Sequence, residues 1–497
     1  MAFNNYKKDI DDTMQAAWFA FHEYKKLPLK KRSELLRGIA LEIENLGDEL
    51  IHTCMDETNL AEARLRNERA RTIFQLNSYA DACEKGDWLE ARIDTGDTKR
   101  IPAKPDIRKM LIPLGPVVVF GASNFPFAFS TAGGDTASAL AAGCPVIVKA
   151  HSAHIRTSEM VAGAINKAVK NSNLPEGIFN HITGNSHEIG KVLIWHTHTK
   201  AVGFTGSYSG GKAIWELANF RKEPIPVFAE MSSINPVFLL PGKLKQQPAD
   251  LARMLAASIT LGAGQFCTNP GVIIGIEGEE LDIFIETLTA EIKKTTPVAM
   301  LHDGIAKNFR ETRTKIINHP DVVLLEQNSA VSLPIQDIPS VATTSAFAFM
   351  SNPVLKTEVF GSFSLIVKCS DIHQMRLVSQ SLEGQLTITL MATPDDIKEN
   401  EWLIEEVKNH CGRLIINNVP TGVEVCLAMQ HGGPWPATTD SRFTSVGADA
   451  IKRFVRPLSF QNWPDELLPD ELKNKNPLGI SRTINNQLTK EPVSLSE

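Results

Sequence analysis

The sequence predicts an α/β protein made of two α/β domains with open parallel sheets, and three observations lead to this class. Short apolar runs alternate with helix-like segments between Val117 and Ala229. A second alternating block follows from residue 251 to residue 417. Between the N-terminal helical segment and the first block lies an extended segment that contains three prolines. Alternation of this kind is typical of parallel sheets that helices cover on both faces.

Composition is consistent with this class and excludes several others. The chain has 497 residues, 43% of them hydrophobic and 22% charged, and its formal net charge is −6. These ordinary values exclude a disordered chain, a collagen-like fibre and a polybasic nucleic-acid binder. The N-terminus has no apolar signal core, and no apolar run approaches the ~18 residues of a membrane span. We therefore expect a cytoplasmic protein without nucleic-acid or membrane partners.

The first ninety residues are predicted to be helical. Apolar residues recur at helical spacing in Trp18–Phe21 and Leu35–Leu46, and residues 60–76 continue the pattern. The segment Ile101–Ile112 alternates and contains prolines, so it is expected to be an extended arm or an edge strand.

The elements of the two alternating blocks follow from buried-strand runs and amphipathic segments. In the first block, strands are predicted at Val117–Phe120, Val146–Lys149, Phe179–Thr183, Ala201–Thr205 and Pro226–Ala229, with helices at Thr131–Ala142, Ser158–Val169, Ile189–Trp195 and Gly211–Asn219. In the second, helices are predicted at Leu251–Ile259 and Glu280–Lys294, and strands at Gly271–Ile276, Val322–Glu326, Ser364–Lys368, Gln385–Leu390 and Arg413–Asn417. The polar stretch from Asn462 is expected to be a tail.

Seven scattered cysteines without a CxxC pair indicate free thiols in a reducing compartment. Cys267 stands out because glycines and a glutamine precede it, which favours an accessible loop. An isolated cysteine is more often structural, and the other six are expected to be packing residues. Cys144, between Gly143 and Pro145, is predicted to be buried.

Glu230 is the second candidate for chemistry. It follows the apolar run Val227–Ala229, at the carboxyl end of a predicted parallel strand. Open α/β sheets form their ligand crevices at this edge, so Glu230 is a candidate general base with a raised pKa. The alternative is a helix cap or an ion pair.

Other motifs carry weaker signals. Residues 206–213 nearly form a phosphate-binding loop, but Ala213 stands where a Mg²⁺-binding hydroxyl belongs. This Gly-rich turn either faces a phosphate or is a plain turn. The full GxGxxG pattern is absent, and His196-Thr-His198 has no acidic or Cys residue close by. The sequence therefore predicts no metal site.

Six ordered blocks together resemble the NAD(P)-dependent aldehyde dehydrogenase superfamily over nearly the whole chain. Thirty-six residues separate Glu230 from Cys267, which is the family's spacing. The blocks are Gly115–Pro126, Val146–Lys149, Gly203–Ser207, Ala229–Met231, Gly264–Cys267 and Glu358–Gly361.

The resemblance implies a Rossmann-like cofactor domain, a catalytic domain and a small oligomerisation arm. It also implies oxidation of an aldehyde to an acid through a cysteine thiohemiacetal and a thioester, with no metal. The implied roles are Cys267 as nucleophile, Glu230 as general base and Asn124 as oxyanion donor, with Lys149 at the adenosine ribose, Gly206, Ser207 and Gly211 near the pyrophosphate, and Glu358 and Phe360 at the nicotinamide end.

One departure bears on the cofactor. The position three residues after Lys149 is often Glu in the family, where it pairs with the ribose 2′-hydroxyl, and here it is Ser152. Without that carboxylate a 2′-phosphate meets no repulsion. We therefore expect NADP, with NAD use left open. A second departure is Met231-Ser232-Ser233, where Leu-Gly-Gly is usual.

Two further segments are similar to the 2-oxoglutarate semialdehyde (2,5-dioxopentanoate) dehydrogenase branch. They are Lys149–His154 and the late block His431–Gly447. The resemblance implies oxidation of 2-oxoglutarate semialdehyde to 2-oxoglutarate. Two alternatives stay open, an NADP-dependent fatty aldehyde dehydrogenase and a catalytically silent structural relative.

An anionic aldehyde needs a local cation, since the net charge does not attract it. Arg442 is the candidate because it lies in the late block, with a solvent or interface arginine as the alternative role. Arg108 and Arg71 are the other candidates.

The resemblance also divides the chain and predicts its assembly. We expect a homodimer or homotetramer that acts on a small aldehyde. The expected parts are a cofactor domain at 1–97 and 114–230, a catalytic thiol domain at 231–430, an arm and tail at 98–113 and 458–497, and a return to the cofactor domain and active-site rim at 431–457.

Overall fold

The computed structural model describes residues 2–328 and 333–494 and has the predicted α/β fold with open parallel sheets. Four helices come first, as the apolar periodicity indicates, and two short strands follow them. These elements are α1 (Ala2–Tyr24), α2 (Leu29–Asn45), α3 (Gly47–Thr58), α4 (Glu62–Lys85), β1 (Arg92–Asp94) and β2 (Ile107–Pro113).

The first parallel sheet has the strand order β5-β4-β3-β6-β7. Its central strands are mostly apolar because helices bury both faces. From β3 the chain adds β4 and β5 on one side of the sheet and then returns to add β6 and β7 on the other side. A crevice therefore opens at the carboxyl ends of β3 and β6. The elements are β3 (Val117–Phe120), α5 (Gly134–Ala142), β4 (Val146–Lys149), α6 (Ile155–Asn171), β5 (Phe179–Ile182), α7 (His187–Trp195), β6 (Ala201–Thr205), α8 (Tyr208–Asn219) and β7 (Val227–Glu230).

The second sheet has seven strands in the order β10-β11-β12-β9-β8-β13-β14, and only the β10–β11 pair is antiparallel. Its elements are β8 (Val237–Leu239), α9 (Pro241–Gln246), α10 (Pro248–Thr260), β9 (Val272–Ile276), α11 (Glu279–Lys294), α12 (Asp303–Ile317), β10 (Val322–Gln327), β11 (Ser340–Ser345), α13 (Ala346–Ser351), β12 (Phe363–Cys369), α14 (Ile372–Gln380), β13 (Gln385–Met391), α15 (Pro394–Glu399), α16 (Glu401–Val407) and β14 (Cys411–Ile416).

A third sheet joins the segment after the N-terminal helices to the C-terminal region. It has the order β15-β2-β1-β16-β17, with β15 (Val455–Gln461), β16 (Arg482–Ile484) and β17 (Gln487–Thr489). The predicted extended segment is therefore a strand, although it begins at Ile107 and leaves Ile101 exposed. The C-terminal stretch is not a free tail, because β16 pairs with β1 of the same chain.

The burial of the cysteines tests two of the predictions. Cys144 is buried and all seven thiols are free, as predicted. Cys426 is exposed, so the prediction that every thiol other than Cys267 packs in the core is wrong for this residue.

Within the described chain, no helix is both long and apolar enough to cross a bilayer.

Candidate active site

Cys267 lies on a turn whose backbone only small residues allow. After α10 ends, Gly262, Ala263 and Gly264 all have positive φ values, between 56° and 64°. A Cβ atom on Gly264 would stand 2.3 Å from the carbonyl oxygen of Gly361, so only glycine fits there. This contact packs the thiol loop against the segment that contains Glu358 and Phe360, which the sequence places ninety residues further on.

Three reactive side chains converge at this turn. The Sγ atom of Cys267 lies 3.6 Å from Nε2 of His431, and the same Nε2 lies 3.0 Å from Oε1 of Glu230. Among the described residues, this is the one group of three potential metal-ligating side chains, with all three ligand atoms within 4.8 Å of one another. Glu230 reaches the group because it ends β7, at the sheet edge that the sequence predicts.

Glu230 is held as a carboxylate. Burial raises its pKa, but the contact with His431 and the hydrogen bonds from Cys267 and Ser445 together outweigh burial; the Ser445 hydroxyl donates to Oε2 at 3.0 Å. The net pKa lies below the usual glutamate value. The prediction of a raised pKa for Glu230 is therefore wrong. Contacts from an imidazole and a hydroxyl lower this pKa, and the sequence did not show those contacts.

The Cys267 thiol is held as a neutral group. Burial raises its pKa well above the usual value, the negative charge of Glu230 raises it further, and Arg71 offsets a small part. The thiol therefore needs a base to lose its proton.

His431 is the residue that the sequence analysis overlooked. It is buried, its backbone N–H donates to Oγ1 of Thr444 at 2.9 Å, and its carbonyl accepts the backbone N–H of Ser445 at 2.9 Å. The late block thus folds back on itself and aims the imidazole between Glu230 and Cys267. The sequence did offer one indication of a role for His431, since it is the first residue of the late block. Only Arg442 of that block was predicted to bind the substrate.

Asn124 contacts the loop that contains the thiol. Its Nδ2 donates one hydrogen to the carbonyl of Gln265 at 3.2 Å, which leaves a second hydrogen for a ligand. Within the described chain, no protein acceptor takes the backbone N–H of Cys267. Two free donors beside one thiol match the needs of an oxyanion site.

Four of the residues predicted to bind the cofactor lie at the carboxyl edge of the first sheet. Lys149 ends β4 and has no carboxylate within 4.0 Å among the described residues, and burial lowers its pKa. Ser152 is exposed just beyond it. Ser207 caps α8, where its hydroxyl accepts the N–H of Gly210 at 3.3 Å. The carboxyl ends of β4 and β6 thus bring together the groups that the sequence assigned to the adenosine and pyrophosphate.

The glycines of this turn act in different ways. Gly206 donates its N–H to the carbonyl of Glu230 at 3.0 Å, which ties the end of β6 to the end of β7. Gly211 is inside α8, because the helix begins three residues earlier than predicted. A Cβ atom on Gly211 would stand 2.6 Å from the Met231 side chain, so its small size serves packing.

Glu358 and Phe360 line a cavity that also contacts Phe266 and Asn269 of the thiol loop. Burial raises the pKa of Glu358 to about 7, and the Glu230 charge adds to this effect against hydrogen bonding from Ser232 and the Ser233 backbone. Glu358 therefore changes its charge near neutral pH.

The arginines predicted for the substrate are not equivalent. Arg442 is a surface residue, with 78% of its side chain exposed and its guanidinium bound to Asp440 at 2.5 Å, so the structure does not bring it to the thiol. Arg108 is buried in the third sheet, where it binds Asp106 and the carbonyl of Leu472. Of the three arginines, Arg71 is the one whose positive charge interacts with Cys267 and Glu230.

The remaining histidine motif is structural. His196 binds Asp11 at 3.1 Å, an acidic partner that the local sequence did not show. His198 stacks on Trp18 with a ring separation of 4.7 Å. Both rings therefore fasten α1 to the first sheet.

The aldehyde dehydrogenase family model matches residues 3–306. The chain is 48% identical over 476 residues to "alpha-ketoglutaric semialdehyde dehydrogenase 2" of Azospirillum brasilense, which covers 95% of this chain and 90% of that protein. It is 44% identical over 483 residues to "alpha-ketoglutaric semialdehyde dehydrogenase" of Acinetobacter baylyi, which covers 97% and 91%. Among solved structures, glyceraldehyde-3-phosphate dehydrogenase GapN of Methanocaldococcus jannaschii, complexed with NADP, matches the fold with a TM-score of 0.76, at 20% identity over 92% of this chain and 94% of that one.

Proposed function

Because the chain belongs to the aldehyde dehydrogenase family, we propose that it oxidises 2-oxoglutarate semialdehyde to 2-oxoglutarate with NADP, or with NAD, as hydride acceptor. The convergence of Cys267, His431 and Glu230 at the crevice is the observation that supports the chemistry. The substrate follows from the two relatives, which carry that name and align with nearly the whole chain.

The first step is activation of the thiol. In the tautomer that carries its proton on Nδ1, His431 accepts the Cys267 proton at Nε2, which lies 3.6 Å from Sγ, and the Glu230 carboxylate at 3.0 Å stabilises the imidazolium that forms. The thiolate then attacks the aldehyde carbon and forms a thiohemiacetal. Asn124 Nδ2 and the Cys267 N–H donate to its oxyanion; loss of one such donor typically costs ~10²–10³ in rate.

The residues around the crevice fit a nicotinamide dinucleotide. Lys149 offers a partly buried ammonium without a carboxylate partner, which suits a phosphate or ribose oxygen. Glu358 offers a carboxylate for a ribose hydroxyl, and Ser152 leaves space without negative charge for a 2′-phosphate. When bound, the cofactor supplies the acceptor for the hydride that leaves the substrate carbon.

Glu230 serves the second half of the reaction. Because its pKa is lowered, it stays ionised at neutral pH and is ready to accept a proton from water. The resulting hydroxide attacks the Cys267 thioester, the C–S bond breaks and the acid leaves. The sulfur takes back the proton that His431 holds, and Glu230 releases its proton to water. Ser445 keeps the carboxylate oriented through Oε2. Residues of this chain thus supply the acid–base chemistry of both steps, and we propose that no metal takes part.

A fatty aldehyde is the second candidate substrate. The rings of Phe125, Phe129 and Phe266 form an apolar wall, in which the Phe125 centroid lies 5.5 Å from that of Phe129 and 5.6 Å from that of Phe266. This wall suits an alkyl chain. Two arginines that stack on the same rings, Arg64 and Arg71, favour the anionic substrate.

A substrate panel tests the proposal. The purified enzyme would be assayed with 2-oxoglutarate semialdehyde, pentanal and dodecanal, each with NADP and with NAD, and with and without EDTA dialysis. We expect the highest kcat/KM for the anionic aldehyde with NADP and no effect of EDTA. A higher kcat/KM for dodecanal would support the fatty aldehyde function, and no reduced cofactor with any aldehyde would indicate a silent relative.

We also propose the domain division and the assembly given by the sequence. The third sheet has free edges at β15 and β17, and Leu414 and Ile416 are exposed on the edge strand β14 of the second sheet. Free strand edges and exposed apolar side chains favour pairing between subunits of a homodimer or homotetramer. Light scattering of the purified protein would measure the mass, and fractionation of its host cells would test the cytoplasmic location.

A further inference from the structure

Two arginines on one face of α4 have no ion pair. Arg64 and Arg71 are seven residues apart, two helical turns, so they lie on the same side of the helix. Neither has a carboxylate oxygen within 4.0 Å among the described residues. A partly buried guanidinium without a counter-charge is costly, because it has lost water without gaining an ionic partner.

Arg71 has fewer hydrogen-bond partners than Arg64. No protein acceptor in the described chain takes a hydrogen bond from its guanidinium, and its buried Nη2 has no partner. Its Cζ lies 5.2 Å from the Phe129 ring centroid, and the Phe129 ring lies 6.0 Å from that of His431. Its positive charge also acts on Cys267 and Glu230. The unpaired charge therefore lies near the thiol.

Arg64 is partly engaged and borders the same space. Its Nη2 donates to the carbonyl of Asn124 at 2.7 Å, and its Cζ lies 5.1 Å from Phe125 and 4.9 Å from Phe266. Its Nη1 is buried and has no partner. Because Phe266 directly precedes Cys267, this free N–H group belongs to the wall beside the nucleophile.

Glu68, which lies between them on α4, does not complete an ion pair. Its Oε1 accepts the backbone N–H groups of Phe127 and Ala128 at 2.8 and 3.0 Å. Its burial also raises its pKa, which weakens its charge as a counter-ion. The two guanidiniums thus keep free donors that point to a missing anion.

We propose that Arg71, with the free Nη1 of Arg64, binds the distal carboxylate of the aldehyde substrate, which the aromatic wall of Phe125, Phe129 and Phe266 separates from water. This inference rests on the proposed function and specifies how its substrate is recognised. A guanidinium binds a carboxylate through two parallel N–H···O bonds, which gives strength and orientation. Arg71 is then a specificity residue, and Arg442 is not.

The test compares kcat/KM for a charged and an uncharged aldehyde, because a change in thiol reactivity alters both constants and cancels in their ratio. The variant Arg71→Gln would be compared with wild type for kcat/KM on 2-oxoglutarate semialdehyde and on uncharged pentanal. We expect the ratio of the two constants to fall about 10²-fold, because loss of a buried polar partner strongly selects against the substrate that needs it. Arg71→Lys should restore part of the ratio, and the surface variant Arg442→Gln should keep it unchanged.

A binding measurement covers the case of poor turnover. Glutarate, which carries two carboxylates on a short chain, should inhibit wild type competitively against the aldehyde and raise its melting temperature. Both effects should weaken about tenfold or more in Arg71→Gln. Arg64→Gln serves as a secondary probe only, because it also releases the carbonyl of Asn124.

The outcomes separate this inference from the proposed function. If wild type prefers the anionic aldehyde and Arg71→Gln lowers both constants equally, Arg71 is structural and the inference is overturned. If wild type prefers pentanal over the anionic aldehyde, the proposed substrate fails before Arg71 is examined. Unchanged glutarate inhibition in a folded Arg71→Gln protein would also contradict the inference.

Discussion

The two sides of Cys267 are built in different ways. On the side proposed to bind the cofactor, Lys149, Ser207 and Glu230 each end a parallel strand or begin the helix that follows it, so short contiguous motifs place them. On the side proposed to bind the substrate, Arg71, Phe129 and His431 come from distant segments that only the completed fold brings together.

The sides also differ in charge pairing. Glu230 has its partners within the protein, since His431 and Ser445 hold it as a carboxylate. Arg71 has none in the described chain, although it is partly buried. We infer from this difference that the groups proposed for proton transfer are already paired within the protein, whereas the group proposed to bind a ligand keeps free donors.

Replacing the nucleophile tests whether the two sides meet at Cys267. Cys267→Ala should lower dehydrogenase turnover by at least about 10⁴-fold, because no other group forms the thioester. Cofactor binding, followed by titration, should persist. The exposed-thiol variant Cys426→Ala is the matched control and should keep wild-type turnover. Substantial turnover in Cys267→Ala would remove it from the mechanism.

The next largest effect concerns His431. His431→Asn should slow thioester formation by about 10²-fold, because the raised thiol pKa makes a base necessary. Stopped-flow assays should show that the initial burst of reduced cofactor is lost. A burst of wild-type rate would show that another group takes the thiol proton, with Glu230 as the nearest one.

A charge change on the cofactor side should have a smaller effect. Ser152→Glu should weaken NADP binding about tenfold while NAD binding is kept or improved, because a carboxylate there repels a 2′-phosphate and accepts a 2′-hydroxyl. Ser152→Gln is the uncharged control of the same size. Equal loss for both cofactors in Ser152→Glu would refute the assignment of this position.

The smallest effect concerns Glu358 and pH. Because burial raises its pKa to about 7, the folded protein binds this proton more tightly than the unfolded chain does. Stability from this group is therefore present at pH 4 and is lost as pH rises to about 7. Glu358→Gln should raise the melting temperature by about 2–4 °C at pH 8, and by less at pH 5. An equal change at both pH values would contradict the raised pKa.

Local patterns explain what the sequence could predict. Apolar runs predicted most strands of both parallel sheets, and strand ends placed Glu230 and Lys149 at the crevice. The strand β11 was missed because Ser, Thr and Ala dominate it, although the neighbouring strands β10 and β12 bury it. The C-terminal strand β16 was missed because its pairing partner, β1, lies almost four hundred residues earlier.

Side-chain environments could not be predicted in the same way. His431 lies 164 residues from Cys267, and nothing local indicates that its ring contacts a thiol. Arg442 was selected for its motif, but exposure and the Asp440 partner become visible only in three dimensions. The pKa directions of Glu230 and Cys267 likewise depend on contacts between separate segments.

Trapping the acyl enzyme tests the central claim most directly. The variant Glu230→Gln would be mixed with 2-oxoglutarate semialdehyde and oxidised cofactor, and intact-protein and peptide mass spectrometry would follow. We predict one 2-oxoglutaryl group in thioester linkage on Cys267, because acylation proceeds through His431 while deacylation slows about 10²–10³-fold without the carboxylate. An unmodified Cys267 together with wild-type steady-state turnover would contradict the account.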